Sequence, residues 1–398
     1  MKPRGHQTLG AAWALDTIRE HGLAYLSWKE RTGKTLTALL TAEHSKAKNI
    51  LIVTKKKAIP GWEETLKEWK HVKSFKVINY ESLHKLSPRG IEFIILDESH
   101  HAISGIGRTS KTWKMVKTFT RGKPILYLSA TPYAEHVGLI YHQLKLSDWT
   151  PLRFRNFYDF FRRYGISNMT RTPYGLQETY TKYKTEEVLQ EIEHLFNFKT
   201  RADVGIEHEP TVNVIKVPMS KLTRQRMIDW REDRVLELEG HTILGDSDAK
   251  VRAVHYQLEG GTIKIANGIS IRTGRLEKVK YIEEHYDVKT TAIMAHFIAE
   301  RALLEEKFPD ATILSSDGDA EGVDLSHFNK LIIYSMSFKT SKHTQRVARQ
   351  ANHNRDTPIE VDVLTMDKPG IGYAVYETVA IKEENFIKAS YERASSSN

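Results

Sequence analysis

Apolar residues gather into short unbroken runs along the first third of this chain. Ala24-Tyr25-Leu26-Ser27, Asn49-Ile50-Leu51-Ile52-Val53-Thr54, Phe93-Ile94-Ile95-Leu96 and Pro124-Ile125-Leu126-Tyr127-Leu128 are such runs. They do not alternate with polar residues, which suits strands buried on both faces of a parallel sheet. Thr35 to Ala47 has a helical pattern between the first two. The same texture returns in Thr211 to Val217, then, after a charged helical region, in Thr290 to Phe297, Ala311 to Leu314 and Lys330 to Tyr334. A helix is expected from near Ser341. Strands alternating with helices predict an α/β fold with two parallel sheets.

Residues 151–201 break this alternation. They hold nine Arg or Lys and eleven Phe or Tyr, among them Phe154, Phe157, Tyr158, Phe160, Phe161 and Tyr164, with Arg162 and Arg163 between. Two readings follow: an amphipathic helical brace with a solvated basic face, or a surface that grips nucleic acid. The expected organisation is an N-terminal α/β domain over 1–150, a helical basic-aromatic insertion over 151–210 and a second α/β domain over 211–392. A low-complexity tail over 393–398 is expected to be disordered.

Composition narrows the function. The 398 residues suffice for two domains with ordinary cores. Basic residues outnumber acidic ones 59 to 50, a net +9, which favours an anionic partner such as nucleic acid. The absence of cysteine excludes disulfides, thiolate zinc sites and cysteine nucleophiles. No apolar run approaches a membrane span, and the N-terminus is polar, so a cytoplasmic protein is expected.

The candidate chemistry sits just after the strand-like runs, where open α/β sheets place ligands. Thr32-Gly33-Lys34-Thr35 follows the first. Glycine lets backbone amides approach phosphates, Lys34 reaches β- and γ-phosphate oxygens, and the Thr35 hydroxyl can ligate magnesium. Asp97-Glu98 follows the third run. Asp97 would hold magnesium, and Glu98 would deprotonate the attacking water. His100 and His101 are sequence neighbours without metal-ligand spacing, so metal ligation is not expected of them. Arg346 and Arg349 share a helix face. An arginine from a second domain can stabilise a γ-phosphate in phosphoryl transfer, a role open to Arg349.

In this order the motifs resemble those of superfamily 2 helicases, most of all compact bacteriophage-type members similar to Swi/Snf DNA translocases. The resemblance spans Arg4 to about Arg355. It implies two RecA-like domains with an ATP cleft between them, ATP and Mg2+ as cofactors, and DNA as partner. Arg4-Gly5-His6-Gln7 looks like the adenine-reading motif, which gives Gln7 that role; Thr32 to Thr35 match the phosphate-binding motif I. Asp97-Glu98-Ser99-His100 matches motif II, and Ser129-Ala130-Thr131 the coupling motif III. Val53 through Trp62-Glu63 and Trp69, and Asn79-Tyr80-Glu81, look like the motifs that hold nucleic acid. Gly274 to Lys278 is similar to the helix opening the second domain. Glu321-Gly322-Val323-Asp324-Leu325 matches motif V, and Gln345 to Arg349 begin motif VI. The residues implied at nucleic acid are Thr54, Lys55, Asn79, Tyr80, Ser129, Thr131, Arg162, Arg163, Glu321 and Gly322. Those implied in catalysis are Lys34, Asp97, Glu98, Gln345 and Arg349.

Two positions depart from the pattern. Arg31 stands where a glycine is common, and Asn352 stands where motif VI carries a second arginine. Either Arg349 suffices, or Arg355 reaches in one turn later, or hydrolysis is slow. The expected function is an ATP-dependent DNA helicase or translocase. The alternatives are a DNA-binding protein with a weakly hydrolysing ATP site and an RNA helicase.

Overall fold

The computed structural model describes residues 2–133, 136–172, 175–206, 210–265, 269–316, 325, 328, 330–337 and 360–380. They divide into two compact units, one up to Gly205 and one from Ile206. Each is an α/β unit built on an all-parallel sheet.

The first unit opens with α1 (Gly5–His21), then β1 (Leu23–Trp28), α2 (Lys34–His44), β2 (Asn49–Thr54), α3 (Ile59–Glu68) and β3 (Ser74–Asn79). There follow β4 (Phe93–Asp97), α4 (Ser99–Ala102), α5 (Lys111–Thr120), β5 (Ile125–Leu128) and α6 (Ile140–Leu144). The sheet order is β3-β2-β4-β5-β1-β8, where β8 is Phe196–Lys199. Every residue of β1 and β5 is buried, as continuous apolar runs require when both faces of a sheet are covered. Two apolar clusters lie on the two faces, one around Tyr25, Leu96 and Tyr127 and one around Leu26, Ile52 and Leu128.

The basic-aromatic stretch is more varied than a helical insertion. It holds α7 (Phe157–Tyr164), a hairpin of β6 (Asn168–Thr172) and β7 (Gly175–Thr179), α8 (Thr185–Ile192) and then β8. The hairpin segments are rich in threonine, which favours extended backbone, and Gly175 turns at φ 104°. Phe157, Phe160, Phe161 and Tyr164 all point into the core of the first unit. The alternation Phe196-Asn197-Phe198-Lys199 makes β8 an edge strand beside β1.

The second unit has the sheet order β15-β14-β16-β17-β9. Its strands are β9 (Thr211–Val217), β14 (Thr291–Ala295), β15 (Thr312–Ser315), β16 (Lys330–Ile333) and β17 (Glu360–Met366). Between β9 and β14 the charged region is again only partly helical. α9 (Lys221–Asp233) and α10 (Asp248–Glu259) pack with hairpins β10 (Val235–Leu238)/β11 (His241–Leu244) and β12 (Thr262–Lys264)/β13 (Ser270–Arg272). They enclose their own core of Met227, Trp230, Leu236, Ile243 and Ile263. α11 (Glu277–His285), α12 (Ile298–Lys307) and a helix over 372–380 complete the unit. No described helix is long and apolar enough to cross a membrane. Glu321, Gly322, Gln345, Arg346, Arg349, Asn352, Arg355 and the tail lie outside the described residues.

Candidate functional site

The site is built where β1, β4 and β5 end. β1 delivers the chain into a loop from Lys29 to Gly33, and α2 begins at Lys34. Two residues of that loop have left-handed backbone, Arg31 at φ 66° and Gly33 at φ 93°. A side chain at Gly33 would also displace Gln7, since a Cβ there would lie 2.2 Å from Gln7 Nε2. Arg31 bears a steric cost of roughly 1–2 kcal/mol in this conformation.

α1 braces the loop from the side. Gln7 is buried; its Nε2 donates to Gly33 O (3.2 Å) and its Oε1 accepts from the Arg4 N–H (2.8 Å). His6 Nε2 lies 2.9 Å from Thr32 O, and Thr32 Oγ1 donates to Lys29 O at 2.7 Å. Lys34 folds back onto the loop, its Nζ donating to the carbonyls of Trp28 (2.6 Å) and Lys29 (3.0 Å). Burial pulls the Lys34 ammonium below its usual pKa, while Glu30, Glu98 and Asp97 pull it back up. Thr35 lies half-buried in the first turn of α2.

Asp97 is the last residue of β4. Thr54 Oγ1 (2.8 Å) and Trp62 Nε1 (2.9 Å) both donate to the same oxygen, Asp97 Oδ2, which fixes the carboxylate's orientation. Tyr80 donates its hydroxyl to the Asp97 carbonyl at 2.8 Å. Glu98 follows with left-handed backbone, φ 50° and ψ 38°, anchored by its N–H on Leu128 O at 2.8 Å. A non-glycine residue held there is strained, and such strain concentrates at functional sites. Burial pushes the Glu98 carboxyl up to about 8; Lys55 and Lys34 oppose the rise, and Asp97 and Glu30 add to it.

Behind Glu98, His100 Nδ1 lies 3.4 Å from the Glu98 carboxylate and 2.9 Å from Ser129 Oγ. Ser129 Oγ accepts from the Thr131 N–H at 3.1 Å. Burial holds the His100 pKa well below the usual imidazole value, so this ring is neutral. A polar chain therefore runs from Glu98 at the end of β4 to Thr131 beyond β5. Glu98, His100 and His101 also bring ligand atoms within 4.8 Å of one another, a grouping that their spacing in the sequence did not suggest.

The residues that the resemblance implies at nucleic acid differ in exposure. Thr54, Tyr80, Ser129 and Thr131 are at most 3% exposed and use their polar atoms or their volume inside the first unit. Trp62 is likewise buried against Asp97, and Asn79 spends its amide on Glu81 at 2.6 Å. Lys55 is half-buried and acts electrostatically on Glu98. Arg162 and Arg163 do face solvent on α7, with Asp159 and Glu187 as ion-pair partners.

Sequence reasoning missed Arg201. It lies just past β8, its side chain is 6% exposed, and its guanidinium reaches Glu30 in the loop after β1. Nothing in its local sequence signals this, because the contact joins segments 171 residues apart.

Asp97 and Thr35 offer only oxygen donors, which suits a hard cation such as Mg2+. No protein-family model matches the chain, and no curated protein matches it either. Among solved structures the chain is similar to "Sulfolobus solfataricus SWI2/SNF2 ATPase core in complex with dsDNA". The identity is 15%, covering 97% of this chain and 92% of that one, with a TM-score of 0.45. A second similar structure is "Sulfolobus solfataricus SWI2/SNF2 ATPase core domain", at 13% identity, 92% and 86% coverage and a TM-score of 0.44. At these values the likeness says nothing about which reaction the chain performs.

Proposed function

We propose that this chain hydrolyses ATP with magnesium and couples the cycle to movement along DNA, or to its remodelling by unwinding or branch migration. One observation carries the reading: Lys34, Asp97 and Glu98, from two strand ends 63 residues apart in sequence, form a single electrostatic cluster. In this reading the loop amides and Lys34 take the β- and γ-phosphates. Lys34 exchanges two carbonyl acceptors for phosphate oxygens, a stronger charge-assisted bond. Thr35 and Asp97 hold the magnesium ion, which would neutralise phosphate charge. Glu98 takes the proton of the attacking water, and Lys34 and Lys55 favour its ionised form. Gln7 sits beside Gly33, where it can link base recognition to the shape of the phosphate loop.

DNA as the track is supported by the net charge of +9 and by the exposed arginines of α7. The test is ATP turnover by the purified chain with single-stranded, duplex and forked DNA and with RNA, at one fixed salt concentration. Stimulation by DNA above RNA supports the reading. Stimulation by RNA alone would favour an RNA helicase, and no turnover with any of them would overturn it.

A further inference from the structure

β8 does more than add an edge strand. Its parallel pairing with β1 runs from Tyr25↔Phe196 to Trp28↔Lys199, and one further bond, Lys29 N–H to Lys199 O (2.8 Å), carries it into the phosphate loop. Trp28 Nε1 donates to Asn197 Oδ1 at 2.7 Å, and the Lys199 ammonium lies 5.8 Å from the Trp28 ring centre. The chain then turns tightly. Asp203 Oδ2 accepts from the Thr200 N–H (2.7 Å) and hydroxyl (2.9 Å), and Gly205 closes the turn at φ 76°. Arg201 is thereby aimed at the loop from a rigid base.

Its target is Glu30. Arg201 Nε donates to the Glu30 carbonyl at 3.4 Å, and Nη2 lies 3.6 Å from Glu30 Oε2. Neither Glu30 carboxylate oxygen accepts a hydrogen bond, although both are buried. A buried carboxylate in a loop that receives phosphates is an electrostatic liability. It repels the ligand and competes with it for Lys34. The loop needs a second cation to cancel it.

We propose that Arg201 is a positioning residue for nucleotide binding, which neutralises Glu30 and pins the phosphate loop so that Lys34 is left for the phosphates. The inference rests on the ATP reading given above. It assigns to the segment after β8 a part in nucleotide affinity. Arg201 itself touches no reacting atom, so its removal acts on binding more than on chemistry. It also predicts a specific coupling, because the pairing of Arg201 with Glu30 needs the Glu30 charge.

The experiment measures equilibrium binding of a fluorescent ATP analogue with Mg2+, together with KM and kcat, for the parent, Arg201→Ala, Arg201→Lys, Glu30→Gln and Arg201→Ala/Glu30→Gln. Lys34→Ala serves as the binding-deficient control. Arg201→Ala should weaken binding by about tenfold or more and raise KM more than it lowers kcat. Arg201→Lys should recover part of the loss, since it restores charge without the planar fork. Glu30→Gln alone should bind as well as the parent or several-fold tighter. The double variant should bind close to Glu30→Gln, a non-additivity that general misfolding would not produce. Equal binding by Arg201→Ala and the parent would overturn the inference and leave the ATP reading standing. So would strictly additive losses, or weakened binding in Glu30→Gln, which remains informative even where Arg201→Ala does not fold. A parent that binds no nucleotide at all would instead remove the ATP reading.

Discussion

The indole N–H of Trp62 donates to Asp97 Oδ2 across 2.9 Å, from a ring that is 3% exposed. A tryptophan that the resemblance places in a nucleic-acid motif thus helps to orient the Asp97 carboxylate. Trp62→Phe keeps the buried ring and loses the donor. It should cost about 1 kcal/mol of stability and raise the Mg2+ concentration needed for half-maximal ATPase. A magnesium titration of both proteins checks this; identical curves would mean that Thr54 alone orients Asp97.

Lys34 and Glu98 should separate binding from chemistry. Lys34→Ala should weaken nucleotide binding and abolish turnover, because its ammonium folds back onto the loop proposed to hold the phosphates. Glu98→Gln should still bind ATP and hydrolyse it roughly 10²–10⁴-fold more slowly. Equilibrium binding and single-turnover hydrolysis distinguish the two. Loss of binding in Glu98→Gln would point to a structural role for its strained backbone position instead.

The exposed arginines of α7 are open to a salt test. If Arg162 and Arg163 contact DNA phosphates, affinity should fall with salt at a log–log slope of about 0.7–0.9 per phosphate contacted. Arg162→Ala/Arg163→Ala should then flatten that slope by up to about two contacts' worth. An unchanged slope would leave α7 as a brace whose aromatic face packs inward and whose basic face is merely solvated.

The second unit should lose stability as pH rises. Glu300 is fully buried, accepts from the Ser335 hydroxyl and the Phe297 N–H, and has its pKa pushed up to about 7, chiefly by burial. The protonated form is favoured in the folded state, so its contribution is full below the unfolded value near 4.5. It is lost as pH rises from there through about 7, and changes little above. Glu300→Gln stays neutral throughout and should show a flatter dependence of Tm on pH between 5 and 8. Thermal melts across that range decide it; parallel curves would place the titration elsewhere.

The arginine expected to stabilise the γ-phosphate is testable from the sequence alone. Arg349→Ala should reduce turnover by roughly 10³-fold or more if it acts as a finger. Asn352→Arg should raise hydrolysis if its departure from the motif weakens the site. Steady-state ATPase at saturating ATP and DNA checks both.

Much of this was legible in the residues themselves. Unbroken apolar runs marked the central strands because a strand covered on both faces has no polar side to show. Thr32 to Thr35 and Asp97-Glu98 stood out as candidates because a phosphate cradle and an acidic pair need those residue types next to one another. The two-sheet α/β plan and the placement of Thr32 to Thr35, Asp97-Glu98 and Ser129 to Thr131 at strand ends followed from the same local patterns. Tertiary structure alone decided what the long-range partners do. The sequence does not show that Thr54, Trp62 and Tyr80 converge on Asp97, or that Ser129 meets His100. Nor does it show that Arg201 returns to Glu30 across the edge of the sheet. A hydroxyl or a guanidinium looks the same in sequence whether it faces DNA or a buried carboxylate. Which of the two it faces is set by strand order and by the burial that β8, α3 and α7 impose, and neither leaves a periodic signal in the chain.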